Sequence, residues 1–123
     1  MNWGTLAAAL AIVAVFIWLK QSGQIGRGAA AAFLKQGAQV IDVRTPGEFL
    51  SKHLPGAINL PLGGSDEEVL KRVPDRDKVL LLHCHSGTRS ALAKRQYKRL
   101  GYRRVFNLGS YRRAESIVGE SRT

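Results

Sequence analysis

The chain has 123 residues, 45% of them hydrophobic, and a formal net charge of +10 at pH 7. This length suits one domain of ordinary size, and the apolar content excludes an intrinsically disordered chain. Because there is a single cysteine, an intramolecular disulfide and a zinc site built from paired cysteines are also excluded.

The first predicted element is an apolar helix at residues 3–19, a stretch without any charged residue. A helix of this length spans about 25 Å, at the short end for a hydrocarbon layer roughly 30 Å thick. Trp3 and Trp18 lie near its two ends, where an aromatic belt would place them, and Lys20 can extend outward from the end of the helix. We therefore predict a transmembrane anchor at residues 1–20, with residues 3–19 in contact with lipid.

A cleaved signal peptide is the alternative to an anchor. No positive side chain precedes the apolar run, and the small residues 29–32 lie far downstream for a cleavage site. Lys20, Arg27 and Lys35 all follow the run, and positive charge stays on the cytoplasmic side of a membrane. We therefore expect a single-pass protein with its N-terminus outside and its domain facing the cytoplasm.

After the anchor, apolar strands alternate with helices. Residues 21–28 are polar and glycine-rich, as in a short linker, and residues 29–123 form the predicted domain. We predict helices at residues 29–36, 46–52, 65–72, 90–100 and 112–118, and strands at residues 40–43, 57–60, 78–83 and 105–108. This order predicts an α/β fold with a mainly parallel central sheet flanked by helices, and active sites in such folds lie at the carboxyl ends of the strands.

The segment 79–90 places the only thiol of the chain at such a strand end. An apolar strand ends at Cys84, a short polar loop with Gly87 follows, and Arg89 precedes a helix. A loop wrapped around the sulfur would direct N–H groups and the positive end of the helix at it, which lowers a thiol pKa. We predict that Cys84 is a nucleophile; the alternative is a buried structural thiol.

Other polar residues also lie near the predicted strand ends. His83 and His85 flank the thiol, but no acidic partner is close in sequence, so a metal site is not predicted. Asp42 and Arg44 favour a structural role, pairing with Glu48 or tying loops together, over a catalytic one. For His53, too, a structural role is favoured over a catalytic one. The sequence indicates no cofactor.

Several stretches resemble, in the right order, the signatures of rhodanese-like domains. They are Asp42-Val43-Arg44, Glu48-Phe49 and residues 53–61 for the first signature, Cys84-His85-Ser86-Gly87-Thr88-Arg89-Ser90 for the active-site loop, and residues 100–102 and 105–109 for the end of the pattern. The resemblance covers residues 28–115. One such domain behind a single N-terminal helix is also similar to a group of small bacterial inner-membrane proteins, so we expect the bacterial inner (cytoplasmic) membrane as the location.

The resemblance implies transfer of sulfane sulfur. Cys84 would attack a small sulfur donor such as thiosulfate, become a persulfide, and pass the sulfur to a thiol or other nucleophilic acceptor. It implies that the donor is bound by the loop residues His85, Ser86, Gly87, Thr88 and Arg89, with Asp42, Arg44 and His53 in supporting positions. His85 stands where many members that use thiosulfate have Arg or Lys.

Two other functions remain open from the sequence. Related folds that act on phosphate or arsenate separate cysteine from arginine by five residues, whereas four residues separate Cys84 from Arg89. The shorter loop favours a single sulfur atom over a tetrahedral oxyanion. The second alternative is a catalytically silent rhodanese-like module that binds a partner at the membrane.

The excess positive charge is concentrated in the C-terminal third of the chain. Eight basic residues occur there without an acidic residue between them: Lys94, Arg95, Lys98, Arg99, Arg103, Arg104, Arg112 and Arg113. For a tethered domain, this pattern favours attraction to anionic lipid headgroups, followed by an acidic protein partner or an anionic donor. Aromatic stacking residues are sparse there, which argues against nucleic acid.

Overall fold

The structure, a computed structural model, describes residues 2–122 except the side chains of residues 18–22. The helices are α1 (Trp3–Ser22), α2 (Arg27–Lys35), α3 (Pro46–Ser51), α4 (Asp66–Arg72), α5 (Thr88–Arg99) and α6 (Tyr111–Ser121), and the strands are β1 (Gln39–Asp42), β2 (Ile58–Asn59), β3 (Leu80–His83) and β4 (Val105–Gly109). The predicted α/β fold is confirmed. Helix α6 extends beyond its predicted range at both ends, and it begins at Tyr111 because the Ser110 hydroxyl accepts from the Arg113 N–H and caps its first turn.

The four strands form one parallel sheet in the order β2-β1-β3-β4. The register brings their carboxyl ends together, since Asp42 pairs with both Asn59 and His83, and His83 pairs with Gly109. Helices cover both faces, so the central strand β3 is buried on both sides and all four of its residues are inaccessible to solvent. This burial explains why β3 begins with three consecutive leucines.

Alternate residues of β3 belong to different layers of the fold. Leu80, Leu82 and Cys84 pack with residues of α4 and α5 on one face of the sheet. Leu81 packs on the other face with residues of α2 and α6. The side chain of Cys84 therefore faces α5, the helix that begins immediately after the loop.

Helix α1 covers the apolar N-terminal stretch. Trp3, Ile12 and Phe16 are among its large apolar side chains that are exposed. Within the described part of the chain, no helix is both long and apolar enough to cross a membrane. The transmembrane anchor predicted at residues 1–20 is therefore not confirmed, and the roles predicted for Trp18 and Lys20 lie outside the described side chains.

Half of the segment predicted as a linker at residues 21–28 is helical, and residues 23–26 connect α1 to α2. These residues are attached to the sheet. Gln24 forms a parallel bridge with Asn107, and the Ile25 N–H donates to the Asn107 carbonyl at 2.9 Å. The free edge of β4 offers unpaired backbone groups, which a polar connecting segment can satisfy.

Candidate active site

Cys84 lies just beyond β3 at the carboxyl edge of the sheet, and its side chain is fully buried. Its backbone N–H donates to the Gly109 carbonyl at 3.2 Å, which fixes the start of the loop against β4. The Gly87 N–H donates to Sγ at 2.9 Å, and the Ser90 hydroxyl lies 3.5 Å from Sγ. The loop therefore wraps around the sulfur, as predicted.

These contacts favour the thiolate. Burial raises the pKa of the Cys84 thiol, but hydrogen bonds from the Ser90 hydroxyl and from the N–H groups of Ser90, Gly87 and Ser86 outweigh it, so the pKa is lowered. The thiolate is the nucleophilic form of cysteine. A purely structural thiol has no need of converging donors, so the geometry supports the nucleophile over the structural alternative.

Gly87 is the loop residue whose backbone conformation matters most. It precedes α5 with a φ of 96°, a left-handed conformation that residues with a side chain rarely adopt. A Cβ at this position would also lie 3.3 Å from the backbone of Gly109. This conformation lets the Gly87 N–H point at Sγ instead of into the first turn of the helix.

A buried polar network supports the loop from the β4 side. The Ser90 Oγ lies 2.7 Å from Asn107 Oδ1 and 3.1 Å from the Gly87 carbonyl. Asn107 also donates from Nδ2 to the Gly87 carbonyl and accepts from the Gly109 N–H. Because the hydroxyl has one proton, Ser90 can direct it to Asn107, Gly87 or Sγ. A developing negative charge on sulfur would attract it.

Arg89 is held by an ion pair. Its Nη1 donates to Glu48 Oε1 at 2.7 Å, and its Nη2 donates to Glu48 Oε2 at 3.1 Å. The same carboxylate accepts from the Thr45 N–H and completes a capping box at the start of α3. Hydrogen bonds from Arg89 and Thr45 lower the pKa of Glu48 to about 2. Arg89 therefore braces the end of the loop, and the donor binding that the resemblance implies for it stays a prediction.

Asp42 and Arg44 form a second ion pair, and this one is buried. Arg44 Nη2 donates to Asp42 Oδ2 at 2.7 Å and to the Lys52 carbonyl at 2.6 Å, so it joins the end of β1 to the end of α3. The predicted structural role of this pair is supported. Of the two structural roles that the sequence offers, pairing with Glu48 or tying loops together, the contacts show the second, and the Glu48 carboxylate binds Arg89.

The three histidines have different environments. His85 and His53 are exposed, and the His53 ring stacks on Phe49. His83 is fully buried on the face opposite to Cys84, with Nδ1 3.3 Å from the Cys84 carbonyl and Nε2 3.7 Å from Asp42 Oδ2. Within the described residues, no group of three or more His, Cys, Asp or Glu side chains could hold a metal ion.

Comparison with known proteins assigns the family. The family model described as Rhodanese-like domain matches residues 27–113. The chain belongs to the rhodanese-like domain family.

Individual relatives agree with this assignment. Thiosulfate sulfurtransferase PspE of Escherichia coli strain K12 is 38% identical over 69 residues, which are 56% of this chain and 66% of PspE, just under two thirds of its length. A solved rhodanese with anions from E. coli is 35% identical, with a TM-score of 0.58 over 62% of this chain and 91% of that one. The human single-domain sulfurtransferase TSTD1 has a TM-score of 0.61 over 76% of this chain and 96% of its own, but at 24% identity it supports the fold alone.

For this rhodanese-like domain, the sequence predicts the loop but not the contacts that three other residues make with it. The position of Glu48 at the start of α3 was predictable, because Thr45-Pro46-Gly47-Glu48 matches the pattern of a capping box, but its ion pair with Arg89 was not. Ser90 was recognised only as part of the loop motif, and Asn107 only as part of a strand. Neither carried a signal of its own, since their contacts depend on how β4 lies beside β3.

Proposed function

We propose that this protein is a sulfurtransferase that carries sulfane sulfur on Cys84. The observation that carries the proposal is a buried sulfur that faces the N–H of Gly87 and the hydroxyl of Ser90. These donors match the needs of a thiolate and also of a persulfide anion, since both carry negative charge in a site closed to water.

The reaction needs no co-reactant beyond donor and acceptor. With thiosulfate as donor, the Cys84 thiolate attacks the outer sulfur, the sulfur–sulfur bond of the donor breaks, and sulfite leaves with the electron pair. Cys84 then carries the outer sulfur as a persulfide. An acceptor thiolate attacks that outer sulfur, and the Cys84 thiolate is regenerated as the leaving group.

Two observations favour sulfur transfer over action on phosphate or arsenate. The Arg89 guanidinium is occupied by Glu48 at both ends, which leaves it poorly placed to hold a tetrahedral oxyanion. PspE, which shares 38% identity over 69 residues, is named a thiosulfate sulfurtransferase. We therefore take thiosulfate as the first donor to test.

The test is the intact mass of the full chain after incubation with thiosulfate and other sulfane donors. We expect the wild-type chain to gain the mass of one sulfur atom and to lose it on addition of a thiol acceptor. The Cys84→Ser variant should gain nothing. Absence of added sulfur from every donor, or equal addition to the variant, would reject the proposal.

We also propose that α1 attaches the domain to the bacterial inner membrane, with the N-terminus outside and the domain in the cytoplasm. What supports this is the exposed apolar surface of α1, including Leu10, Ile12 and Phe16, which is costly to keep in water. Flotation of the full chain with lipid vesicles tests attachment. An Ile12→Lys, Phe16→Lys variant that floats as well as wild type would contradict it.

For the acceptor, we propose a thiol-bearing protein with an acidic surface. Arg95 and Arg99 border a groove on α5, with Leu62 and the half-exposed Leu92 as its apolar lining. The groove runs along the helix whose first turn holds Arg89, so a bound partner would lie close to the loop. Charge reversal at Arg95 and Arg99 should slow sulfur transfer to an acidic thiol peptide but not to a small neutral thiol. If anionic vesicles inhibit transfer to the acidic peptide in the wild-type chain, and do so less in the charge-reversal variant, this face would be assigned to lipid instead.

A further inference from the structure

The connecting segment at residues 23–26 packs against β4 and the active-site loop. It precedes residues 27–113, the part of the chain that matches the family. Its backbone is fixed at both sides: the Ile25 N–H donates to the Asn107 carbonyl at 2.9 Å, and the Ile25 carbonyl accepts from the Arg113 guanidinium. Arg113 also donates to the Leu108 carbonyl at 2.7 Å, so the segment is attached to β4 at neighbouring residues.

This attachment places the side chain of Gln24 against two glycines of the site. A Cβ built on Gly109 would lie 2.6 Å from Gln24 Nε2, and one built on Gly87 would lie 3.4 Å from it. The side-chain amide therefore occupies the space that a side chain at Gly109 would need, and it lies at van der Waals distance from the Cβ position of Gly87. Gln24 is half-buried there, in keeping with a side chain packed against backbone.

Both glycines form hydrogen bonds with Cys84 through their backbones. Gly87 donates its N–H to Cys84 Sγ, and Gly109 accepts the N–H of Cys84 through its carbonyl. Both have positive φ angles, 96° and 95°, which the absence of a Cβ permits. Whatever packs against them restrains the loop on the side away from α5.

We propose that Gln24 is a positioning residue for the Cys84 loop, acting by packing against Gly87 and Gly109. The side chain holds the Gly87 N–H in the orientation that stabilises negative charge on sulfur. Since Gln24 directly follows α1 and Gly23, the proposal also joins the N-terminal helix to the geometry of the site.

Shortening the side chain should leave a void beside the loop. Interiors relax only partly around such voids, so the loop would gain freedom and the N–H would spend less time directed at the sulfur. A weaker hydrogen bond to the charged form raises a thiol pKa. A residue with a purely structural role would change the stability of the fold without moving that pKa.

The experiment titrates the thiol of the full chain by the ultraviolet absorbance of the thiolate, with the Cys84→Ser variant subtracted. The chain has one cysteine, so the signal belongs to Cys84. For Gln24→Ala we expect a midpoint raised by about half a unit, which is about threefold less thiolate at a pH below the midpoint. Gln24→Met, which fills nearly the same volume, should keep the wild-type midpoint.

Gln36→Ala is the matched control, because Gln36 is exposed and follows α2 at the other end of the sheet. A Gln24→Ala midpoint equal to wild type, or a shift matched by Gln36→Ala, would overturn the proposal whatever happens to thermal stability. A Gln24→Met midpoint like that of Gln24→Ala would overturn packing as the cause. The inference rests on the proposed function only for the role of the thiolate, and titration needs no sulfur transfer. The titration of Cys84 can therefore be interpreted even if the persulfide test fails.

Discussion

The Arg89 guanidinium and the Glu48 carboxylate form a two-point ion pair that joins the first turn of α5 to the first turn of α3. These residues are 41 positions apart in the chain. Because α5 begins where the Cys84 loop ends, the pair fixes the far end of the loop to the helix that follows β1.

Removal of the Glu48 charge should therefore loosen the loop. For Glu48→Gln we expect sulfur transfer to fall about fivefold, equivalent to the roughly 1 kcal/mol of one charge-assisted contact. Thr45→Ala is the control, because it removes the hydroxyl that caps α3 but retains the contact with Arg89. Steady-state rates with thiosulfate measure both variants. Equal losses in the two would show that the cap, and not the ion pair, matters.

The pKa of Glu48 also predicts an acid dependence of stability. A carboxyl with a pKa lowered from 4.5 to about 2 contributes its full stability above 4.5 and loses it as the pH falls towards 2. The free energies of unfolding of wild type and Glu48→Gln, measured with urea, should therefore differ above pH 4.5 and converge as the pH approaches 2. A difference that stays constant with pH would contradict the assignment.

Ser90 should tune the thiol directly. Its hydroxyl can donate its proton to Sγ at 3.5 Å, so Ser90→Ala removes a donor and should raise the Cys84 pKa. We expect a shift of about one unit, as for the loss of a hydrogen bond to a charged group. Thiolate absorbance measures the midpoint. Ser116→Ala, on the exposed face of α6, is the control and should leave the midpoint in place.

The buried ion pair should be costly to break from one side. Asp42→Ala leaves the Arg44 guanidinium buried without its carboxylate, and we expect a loss of about 3–5 kcal/mol in the free energy of unfolding. The exposed pair between Asp77 and Arg103 provides the comparison, and Asp77→Ala should cost less than about 1 kcal/mol. Denaturant unfolding of both variants gives the two values. Similar losses would show that Arg44 finds another partner.

His83 should make the fold sensitive to mild acid. Burial lowers its pKa from 6.5 and outweighs both the attraction to Asp42 and the hydrogen bond with the Cys84 carbonyl, while the nearby Arg44 lowers the pKa further. The Tyr111 ring also packs against the imidazole. As the pH falls, His83 is therefore protonated in the unfolded chain before it is protonated in the folded one. Its contribution to stability is full above pH 6.5 and is lost as the pH drops towards the lower pKa of the folded state. His83→Asn should flatten this dependence of the unfolding free energy, whereas His85→Asn should not. An unchanged slope in His83→Asn would contradict it.

The parts of this fold that the sequence predicted are those governed by local patterns. Residues 79–82 are an unbroken apolar run because both faces of β3 are buried, and α4 begins directly after Ser65 because the Ser65 hydroxyl accepts from the Glu68 N–H. The loop could be placed because its residues are contiguous. The partner of Arg89 and the contact of Gln24 with Gly109 could not, because they depend on how separate elements pack in three dimensions.

The complete burial of Cys84 has a consequence for redox chemistry. A cysteine with a lowered pKa is prone to stepwise oxidation, and the steps beyond sulfenic acid are mostly irreversible. Here the sulfur has no exposed surface, and the Gly87 backbone lies directly against it. The single atom added in the persulfide already requires the loop to make room, and the second and third oxygens of irreversible oxidation would require more, so the loop that favours the thiolate also opposes its overoxidation.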